Sequence, residues 1–125
     1  MIHIDTSALI GSLSGSRSSA PRMREFIRDG IRLGVSSLVL YEWWRGPRTA
    51  QELEDQQTLF PGAGAYGFGI QEAALAADLY GRVKRPRQRQ REIDLAIAAC
   101  AIVHGATLWT LNPQDFKDIP GLELA

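Results

Sequence analysis

The sequence contains very little cysteine and histidine. Among its 125 residues, Cys100 is the sole cysteine, and His3 and His104 are the two histidines. A single cysteine excludes an internal disulfide framework and a thiolate-rich zinc site. Because Cys100 lies in an apolar stretch, we expect a packed, unreactive thiol and a reducing, cytoplasmic compartment. His3 within a strand and His104 near a helix end are poor candidates for metal ligands, and no Ser–His or Cys–His pair is available for covalent catalysis.

The chain also lacks an excess of charge, a long apolar run and a phosphate-binding loop. Fourteen basic residues balance fourteen acidic ones, so the net charge indicates no nucleic-acid partner. The apolar runs are too short to cross a bilayer, and the start at Met1 does not predict a signal peptide, so we expect no membrane association. No P-loop or G-x-G-x-x-G motif is present. The alternating glycines from Gly62 to Gly69 lack the strand–turn–helix setting of a phosphate cradle.

The order of the predicted strands and helices indicates an α/β protein. The length favours one domain over residues 1–125. Strands that alternate with helices predict a three-layer α/β/α domain with a mainly parallel central sheet of about four to five strands. The predicted strands are Ile2–Ile4, Ile31–Val35, Tyr66–Phe68, Ala106–Thr110 and Gly121–Leu124. The predicted helices are Ala8–Leu13, Pro21–Asp29, Leu38–Arg45, Thr49–Phe60, Ile70–Tyr80 and a last helix within Arg91–Gly105.

The last of these helices carries one acid in an otherwise apolar segment. From Ile93 to Val103 every residue except Asp94 is apolar, which predicts a buried helix. Small residues follow the acid at i+4, i+7 and i+11, at Ala98, Ala101 and Gly105; we expect this stripe to let the helix approach the sheet closely. An acid in a first helical turn is also favoured by capping and by the helix dipole, so Asp94 alone does not establish a site.

Two further acids occupy similar settings. Glu42 is the one carboxylate in a short, mostly apolar helix that follows a strand, and Asp5 comes directly after the first strand. A buried carboxylate requires a partner, a proton or a metal, because burial without compensation is costly. For Glu42 the alternative is a salt bridge to Arg45 or Arg48. For Asp5 the alternative is a simple helix cap, although two adjacent hydroxyls could cap that helix instead.

The acids near the strand ends are expected to converge. In parallel sheets the carboxyl ends of the strands line one edge, which is the usual place for an active site. Asp5, Glu42, Asp94 and Asp115 all belong to strand ends or to nearby first helical turns. Several carboxylates in one cleft repel each other unless a cation neutralises them. Oxygen ligands with few histidines favour Mg²⁺ or Mn²⁺ over Zn²⁺, and such ions can activate water for phosphodiester hydrolysis.

One segment is strongly basic. Residues Arg82–Arg91 read RVKRPRQRQR and lead directly into the helix that carries Asp94. Such a run is either a solvated segment or an arm that contacts phosphates. If it is an arm, the candidate phosphate contacts are Arg85, Arg87, Arg89 and Arg91.

Three blocks of the sequence resemble a known family. IDTSALI near the start, SSLVLYEWWRG in the middle and REIDLAIAACAIVHGATLWTLNPQDF near the end together resemble PIN domains, and specifically toxins of the VapC type. The resemblance implies a Mg²⁺- or Mn²⁺-dependent endoribonuclease that a small cognate antitoxin protein holds inactive. The pair Trp43–Trp44 is bulkier than the family pattern, and the basic run is denser in arginine. These departures concern the choice of RNA and the antitoxin surface.

The resemblance also assigns roles to residues. It places the family's three acids, and with them the metal, on Asp5, Glu42 and Asp94. The fourth position falls on Asn112 or Asp115. Supporting hydroxyls are expected from Thr6, Ser7 and Thr110.

Two alternatives to a toxin remain open on the sequence alone. One is a binding module without catalysis, whose function is the antitoxin complex on operator DNA. The other is a PIN-like nuclease or nucleic-acid-binding module outside a toxin–antitoxin pair. We also expect a homodimer. The aromatic residues Tyr41, Trp43 and Trp44 are candidates for a dimer or antitoxin face, with burial in the core as the alternative.

Overall fold

The computed structural model of the chain describes residues 1–84, 88 and 90–125. Three strands run through it: β1 (Ile2–Ile4), β2 (Leu33–Gly34) and β3 (Thr107–Trp109). The α-helices are α1 (Thr6–Leu13), α2 (Ala20–Arg28), α3 (Ser37–Arg45), α4 (Ala50–Leu59), α5 (Ile70–Arg82) and α6 (Arg91–Val103). Two short 3-10 helices cover Gly62–Gly64 and Pro113–Asp115.

The central sheet is parallel, with the strand order β2-β1-β3. Strand β1 lies in the middle, where Ile4 is almost completely buried and pairs with Trp109. Helix α1 packs against α2, α3 and α4, whereas α6 packs against α5, α3 and β3. A parallel sheet flanked by helices is the predicted α/β/α class, which is confirmed. Among the described helices, none is long and apolar enough to cross a membrane.

The predicted strand count was wrong, because the described sheet has three strands rather than four to five. The two segments expected to form extra strands contribute one isolated parallel bridge each, Ser36 with Tyr66 and Leu108 with Leu124. Both lie beside glycines. Gly121, with φ +82°, turns the chain just before Leu124, and such turns leave little extended backbone to pair.

Helix α6 is buried as the sequence predicts. Ala98 and Ala101 have no exposed surface, so the small side chains do face packed neighbours. Gly105 does not belong to this stripe, which corrects that expectation. It follows the helix in the left-handed conformation with φ +64°. The Ala106 amide donates a hydrogen bond to the Ala101 carbonyl. This turn ends α6 and leads into β3.

The carboxyl ends of β1 and β3 meet at one edge of the sheet. The Asp5 amide, directly after β1, donates a 2.8 Å hydrogen bond to the carbonyl of Trp109, the last residue of β3. Helix α3 begins near the same edge after β2, and the Ser36 hydroxyl caps it by accepting a hydrogen bond from the Val39 amide. These connections bring Asp5 and the residues that follow Trp109 to the same place.

Candidate active site

An open pocket of about 510 Å³ lies beside this edge of the sheet, which is within the size range of ligand-binding clefts. Most of the residues selected from the sequence line it: Asp5, Thr6, Ser7, Glu42, Arg91, Asp94, Asn112 and Asp115. The structure therefore brings together acids that are up to 110 positions apart, from Asp5 to Asp115.

Asp5 is held by hydroxyl groups. Its side chain is 5% exposed, and its Oδ2 accepts hydrogen bonds from Thr110 Oγ1 at 2.7 Å and Ser7 Oγ at 3.0 Å. Burial raises the pKa of Asp5, and the bonds from Thr110 and Ser7 oppose that rise. Asp5 makes no side-chain cap to α1, so the capping explanation for this acid was wrong. The expectation that Thr6 or Ser7 caps α1 was also wrong, because both hydroxyls bond to carboxylates instead.

Glu42 projects from α3 and is 7% exposed. Its Oε1 accepts a hydrogen bond from Thr6 Oγ1 at 2.6 Å. Its Oε2 accepts from Arg45 at 3.2 Å and from the Gln90 amide at 2.5 Å. The predicted alternative of a salt bridge to Arg45 is therefore real. It does not remove Glu42 from the pocket, since the carboxylate still lines it.

Arg48, the other candidate partner of Glu42, points elsewhere. Its Nε donates to the carbonyl of Trp43 at 2.9 Å, and its guanidinium lies 4.2 Å from the centre of the Trp43 ring. Arg48 is thus a packing partner of a buried tryptophan.

Asp94 is an acid of the pocket whose pKa is strongly raised. It lies in the first turn of α6, and its pKa is raised to about 7, first by burial and then by the negative charges of Asp5, Asp115 and Glu42. The Arg91 charge opposes this rise. Within residues 1–84, 88 and 90–125, no side chain donates a hydrogen bond to the Asp94 carboxylate. A half-buried acid surrounded by like charges is stabilised by a proton or by a bound cation.

Both candidates for the fourth position lie at the pocket. Asn112 and Asp115 are both exposed, and both line the pocket around the short 3-10 helix. The Asp115 charge is one of those that raise the pKa of Asp94. The Thr110 hydroxyl accepts a hydrogen bond from the backbone amide of Asn112 and donates one to Asp5. It therefore links the start of the short 3-10 helix to Asp5.

Only part of the basic run belongs to the residues that the structure describes. Arg85, Arg87 and Arg89 lie outside the described residues. Arg91 is buried and donates two hydrogen bonds to the Asp118 carboxylate, at 2.6 and 2.7 Å, and a third to the Asp115 carbonyl. It is therefore committed to protein partners in this structure.

Sequence reasoning missed several residues of the pocket. Gln90 bonds to Glu42 and adopts a left-handed conformation with φ 72°, and Asp118 bonds to Arg91. Lys84 and Lys117 are exposed and also line the pocket. No local pattern marks Gln90, which stands among arginines in the sequence. The signal for Asp118 and Lys117 was only their position directly after the Asn112–Phe116 block.

The donor set fits a hard divalent cation. The pocket offers carboxylate, hydroxyl and amide oxygens, whereas both histidines and Cys100 lie outside it. Such oxygens are the preferred ligands of Mg²⁺ and Mn²⁺. In the described part of the chain, no three Asp, Glu, His or Cys side chains already stand close enough to hold an ion. Asp5 and Glu42 accept hydrogen bonds from hydroxyl groups, and a carboxylate can accept such bonds and still bind an ion.

Comparison with known proteins identifies the family of the chain. The family model of the PIN domain matches residues 2–122. The chain is 44% identical to Ribonuclease VapC1 of Rickettsia felis over 57 residues, which cover 46% of this chain and 42% of that protein. It is 29% identical to Ribonuclease VapC19 of Mycobacterium tuberculosis over 120 residues, which cover 96% and 95% of the two chains.

Several solved structures share the fold. A VapBC2 structure from Rickettsia felis, bound to a promoter DNA fragment, matches all of this chain and 98% of its own with a TM-score of 0.78 and 23% identity. A toxin–antitoxin complex from Klebsiella pneumoniae matches 98% of this chain and 95% of its own with a TM-score of 0.73 and 24% identity. Because the family model spans nearly the whole sequence, the chain belongs to the PIN-domain family.

Proposed function

We propose that the protein is a Mg²⁺- or Mn²⁺-dependent endoribonuclease, and that it acts as the toxin of a VapC-type toxin–antitoxin pair. The observation that carries this proposal is the meeting of Asp5, Glu42 and Asp94 in one pocket at the carboxyl edge of a parallel sheet. Burial, and then repulsion by the neighbouring carboxylates, raises the pKa of Asp94 to about 7. A cluster in this state gains from binding a cation, as a metal-dependent hydrolase requires.

The relatives favour RNA over other phosphodiester substrates. Two of them are named ribonucleases, and one of these aligns along nearly the whole chain. The neighbouring solved structures are VapBC or other toxin–antitoxin complexes, which supports a small antitoxin as partner. An RNA substrate also implies a cytoplasmic location, where RNA is abundant.

Each residue of the pocket has its own proposed role in the reaction. Asp5 and Asp94 are proposed to hold the metal, with Ser7 and Thr110 fixing the orientation of Asp5 through their hydrogen bonds. When bound, the metal would lower the pKa of a water and stabilise the leaving oxygen. Glu42 would bind the metal or accept the proton of the attacking water, and Thr6 would fix its orientation. Asn112 or Asp115 would complete the site when the substrate phosphate arrives.

Cations near the pocket would bind the RNA backbone. Lys84 and Lys117 are exposed at the pocket, and cations of this kind attract phosphates without regard to sequence. Arg85, Arg87 and Arg89 remain proposed phosphate contacts from the sequence.

The aromatic residues of α3 divide between core and surface. Trp43 is fully buried, whereas Tyr41 and Trp44 are 54% and 52% exposed. Exposed aromatic side chains on one helix are typical of contact surfaces. We therefore propose Tyr41 and Trp44 as part of a homodimer or antitoxin face. Light scattering would distinguish the two faces. The mass of the Trp44→Ser variant is measured alone and with the antitoxin, and only the assembly that uses this face should be lost.

The direct test is cleavage of RNA by the purified chain. Cleavage should require Mg²⁺ or Mn²⁺, stop with EDTA and return when metal is restored. Asp5→Asn should abolish it, whereas the matched control Asp78→Asn, an exposed acid of α5 outside the pocket, should cleave at the wild-type rate. Cleavage that continues in EDTA, or an active Asp5→Asn protein, would reject the proposal.

A further inference from the structure

Arg91 forms the tightest ion pair at the edge of the pocket. Its side chain is 9% exposed, and its Nη2 donates to both carboxylate oxygens of Asp118, at 2.6 and 2.7 Å. Its Nη1 donates to the carbonyl of Asp115. The planar guanidinium therefore reaches two acceptors at once, the Asp118 carboxylate through Nη2 and the Asp115 carbonyl through Nη1, and the single ammonium of a lysine cannot reproduce this spacing.

The pair joins two separate walls of the pocket. Arg91 is the first residue of α6 and lies three residues before Asp94. Asp115 and Asp118 belong to the segment after β3, on either side of the buried Phe116. The three hydrogen bonds of Arg91 therefore fix the start of the Asp94 helix against the segment that supplies Asn112 and Asp115.

This arrangement conflicts with a direct role of Arg91 in phosphate binding. Both terminal nitrogens of its guanidinium already bind the protein, and leaving Asp118 would give up a charge-assisted, partly buried pair. Lys84 and Lys117 are exposed at the same pocket, and neither forms an ion pair with another residue that the structure describes.

We propose that Arg91 is a positioning residue that, together with Asp118, sets the separation of Asp94 from Asp115 and Asn112. The proposal rests on the proposed function in one respect, namely that these groups hold a divalent cation. Residues that orient metal ligands in this way commonly change metal affinity by about 10-fold or more when they are altered.

The role of the Arg91–Asp118 pair is tested by measuring Mn²⁺ affinity of the purified chain by calorimetry. RNA cleavage is the second measurement. Arg91→Gln, Arg91→Lys, Asp118→Asn and the double variant Arg91→Gln/Asp118→Asn are compared with the wild type. Arg82→Gln and Asp78→Asn serve as matched controls, since they break an exposed Arg–Asp pair on α5 that does not line the pocket.

The positioning role predicts that all three single variants bind Mn²⁺ about 10-fold more weakly and that the double variant is no weaker than Arg91→Gln. A pure charge effect predicts opposite shifts, because Arg91→Gln removes a positive charge and Asp118→Asn a negative one. Arg91→Lys keeps the charge and removes the planar group that reaches Asp118 and the Asp115 carbonyl together. The control variants should bind Mn²⁺ like the wild type.

Two results would overturn the proposal. One is wild-type Mn²⁺ affinity in Arg91→Lys and Asp118→Asn. The other is a loss of RNA binding in Arg91→Gln alone, with the slope of log affinity against log salt reduced by about one, which is the mark of a phosphate contact.

A wild-type chain that binds no Mn²⁺ would instead reject the proposed function. The positioning role is then judged by NMR. The backbone amide signals of Asp94 and Asp115 should move in both Arg91→Lys and Asp118→Asn, and wild-type positions in both would reject it.

Discussion

The hydroxyl of Thr6 donates a 2.6 Å hydrogen bond to the carboxylate of Glu42, 36 positions further along the chain. The bond links the first residue of α1 to the acid of α3. It gives Thr6 a role in orienting Glu42, because the other oxygen of that carboxylate is held by Arg45 and Gln90.

Thr6→Val should therefore lower RNA cleavage more than it lowers stability. Loss of one partly buried hydrogen bond costs about 1 kcal/mol of unfolding free energy, while Glu42 loses the contact that fixes its Oε1. We expect cleavage to fall about 10-fold, a loss that is common when a group that orients a site residue is removed. Urea denaturation and initial cleavage rates measure the two effects.

Thr58→Val is the matched control for this change. The Thr58 hydroxyl lies on the exposed surface of α4 and, among the residues that the structure describes, bonds only to the Glu54 carbonyl of its own helix. Its removal should leave cleavage unchanged. Equal rates in the Thr6→Val and wild-type proteins would contradict the role assigned to Thr6.

Asp94 should make the metal-free protein less stable as the pH rises. Its folded pKa of about 7 lies above the ordinary aspartate value of 3.8, so the folded state holds the proton more tightly than the unfolded state. Stability from this group is present below pH 4 and is lost as the pH rises to about 7. Asp94→Asn should remove this loss and stabilise the metal-free protein at pH 8, by about 1 kcal/mol for a partly exposed acid.

Thermal unfolding at pH 5 and pH 8, with and without Mg²⁺, measures this effect. Mg²⁺ should raise the unfolding temperature of the wild type at pH 8 and have little effect on Asp94→Asn. If Asp94→Asn shows the same pH dependence as the wild type, the pKa assigned to Asp94 is wrong.

Ala98→Leu should damage activity through packing. Ala98 has no exposed surface and lies one turn after Asp94, so a leucine must push α6 away from its neighbours. Overpacking of this kind costs about 1 to 3 kcal/mol, and it displaces Asp94 from Asp5. We expect a lower unfolding midpoint together with a large loss of cleavage at a temperature where the protein is still folded.

Ala74→Leu provides the matched control, since Ala74 is exposed on α5. It should leave stability within about 0.5 kcal/mol and cleavage at the wild-type level. A fully active Ala98→Leu protein would show that the position of Asp94 does not depend on close packing of α6.

Gln90→Gly separates backbone strain from side-chain function. Gln90 holds φ at 72°, a conformation that glycine adopts at no steric cost. The change should therefore keep or raise stability, yet it removes the amide that bonds Glu42. We expect altered cleavage without loss of fold, measured by circular dichroism and cleavage rates.

Arg17→Gly relieves the same kind of strain at φ 54°, in a residue outside the active-site pocket. It should leave cleavage unchanged. Equal cleavage by Gln90→Gly and Arg17→Gly would show that the bond from Gln90 to Glu42 has no part in the reaction.

The sequence indicated the acids because each interrupts or ends an apolar segment. Asp94 and Glu42 are isolated charges in buried helices, and Asp5 follows a buried strand, so their immediate neighbours in the sequence were enough to mark them. The class of fold followed from the alternation of strands and helices for the same local reason. The sheet was overestimated because Tyr66 and Leu124 look like strand residues, whereas a single bridge each is all that the neighbouring turns allow.

Pairings across the chain were beyond local patterns. Thr6 and Ser7 looked like helix caps, since a sequence does not show that Glu42 and Asp5 come within hydrogen-bonding distance. Arg91 looked like a member of the basic arm, because its partner Asp118 is 27 positions away. Gln90 could not be found at all, since its residue type does not predict the left-handed backbone that it adopts directly before α6.

If the carboxylate of Asp94 supports metal-dependent cleavage of RNA, its removal should abolish the reaction at every metal concentration. Single-turnover cleavage of end-labelled RNA by wild-type and Asp94→Asn proteins, across a Mg²⁺ titration at pH 7.5, measures this. We expect cleavage that rises with Mg²⁺ for the wild type and none at any concentration for folded Asp94→Asn. Cleavage by Asp94→Asn at the wild-type rate would show that this carboxylate has no part in the reaction.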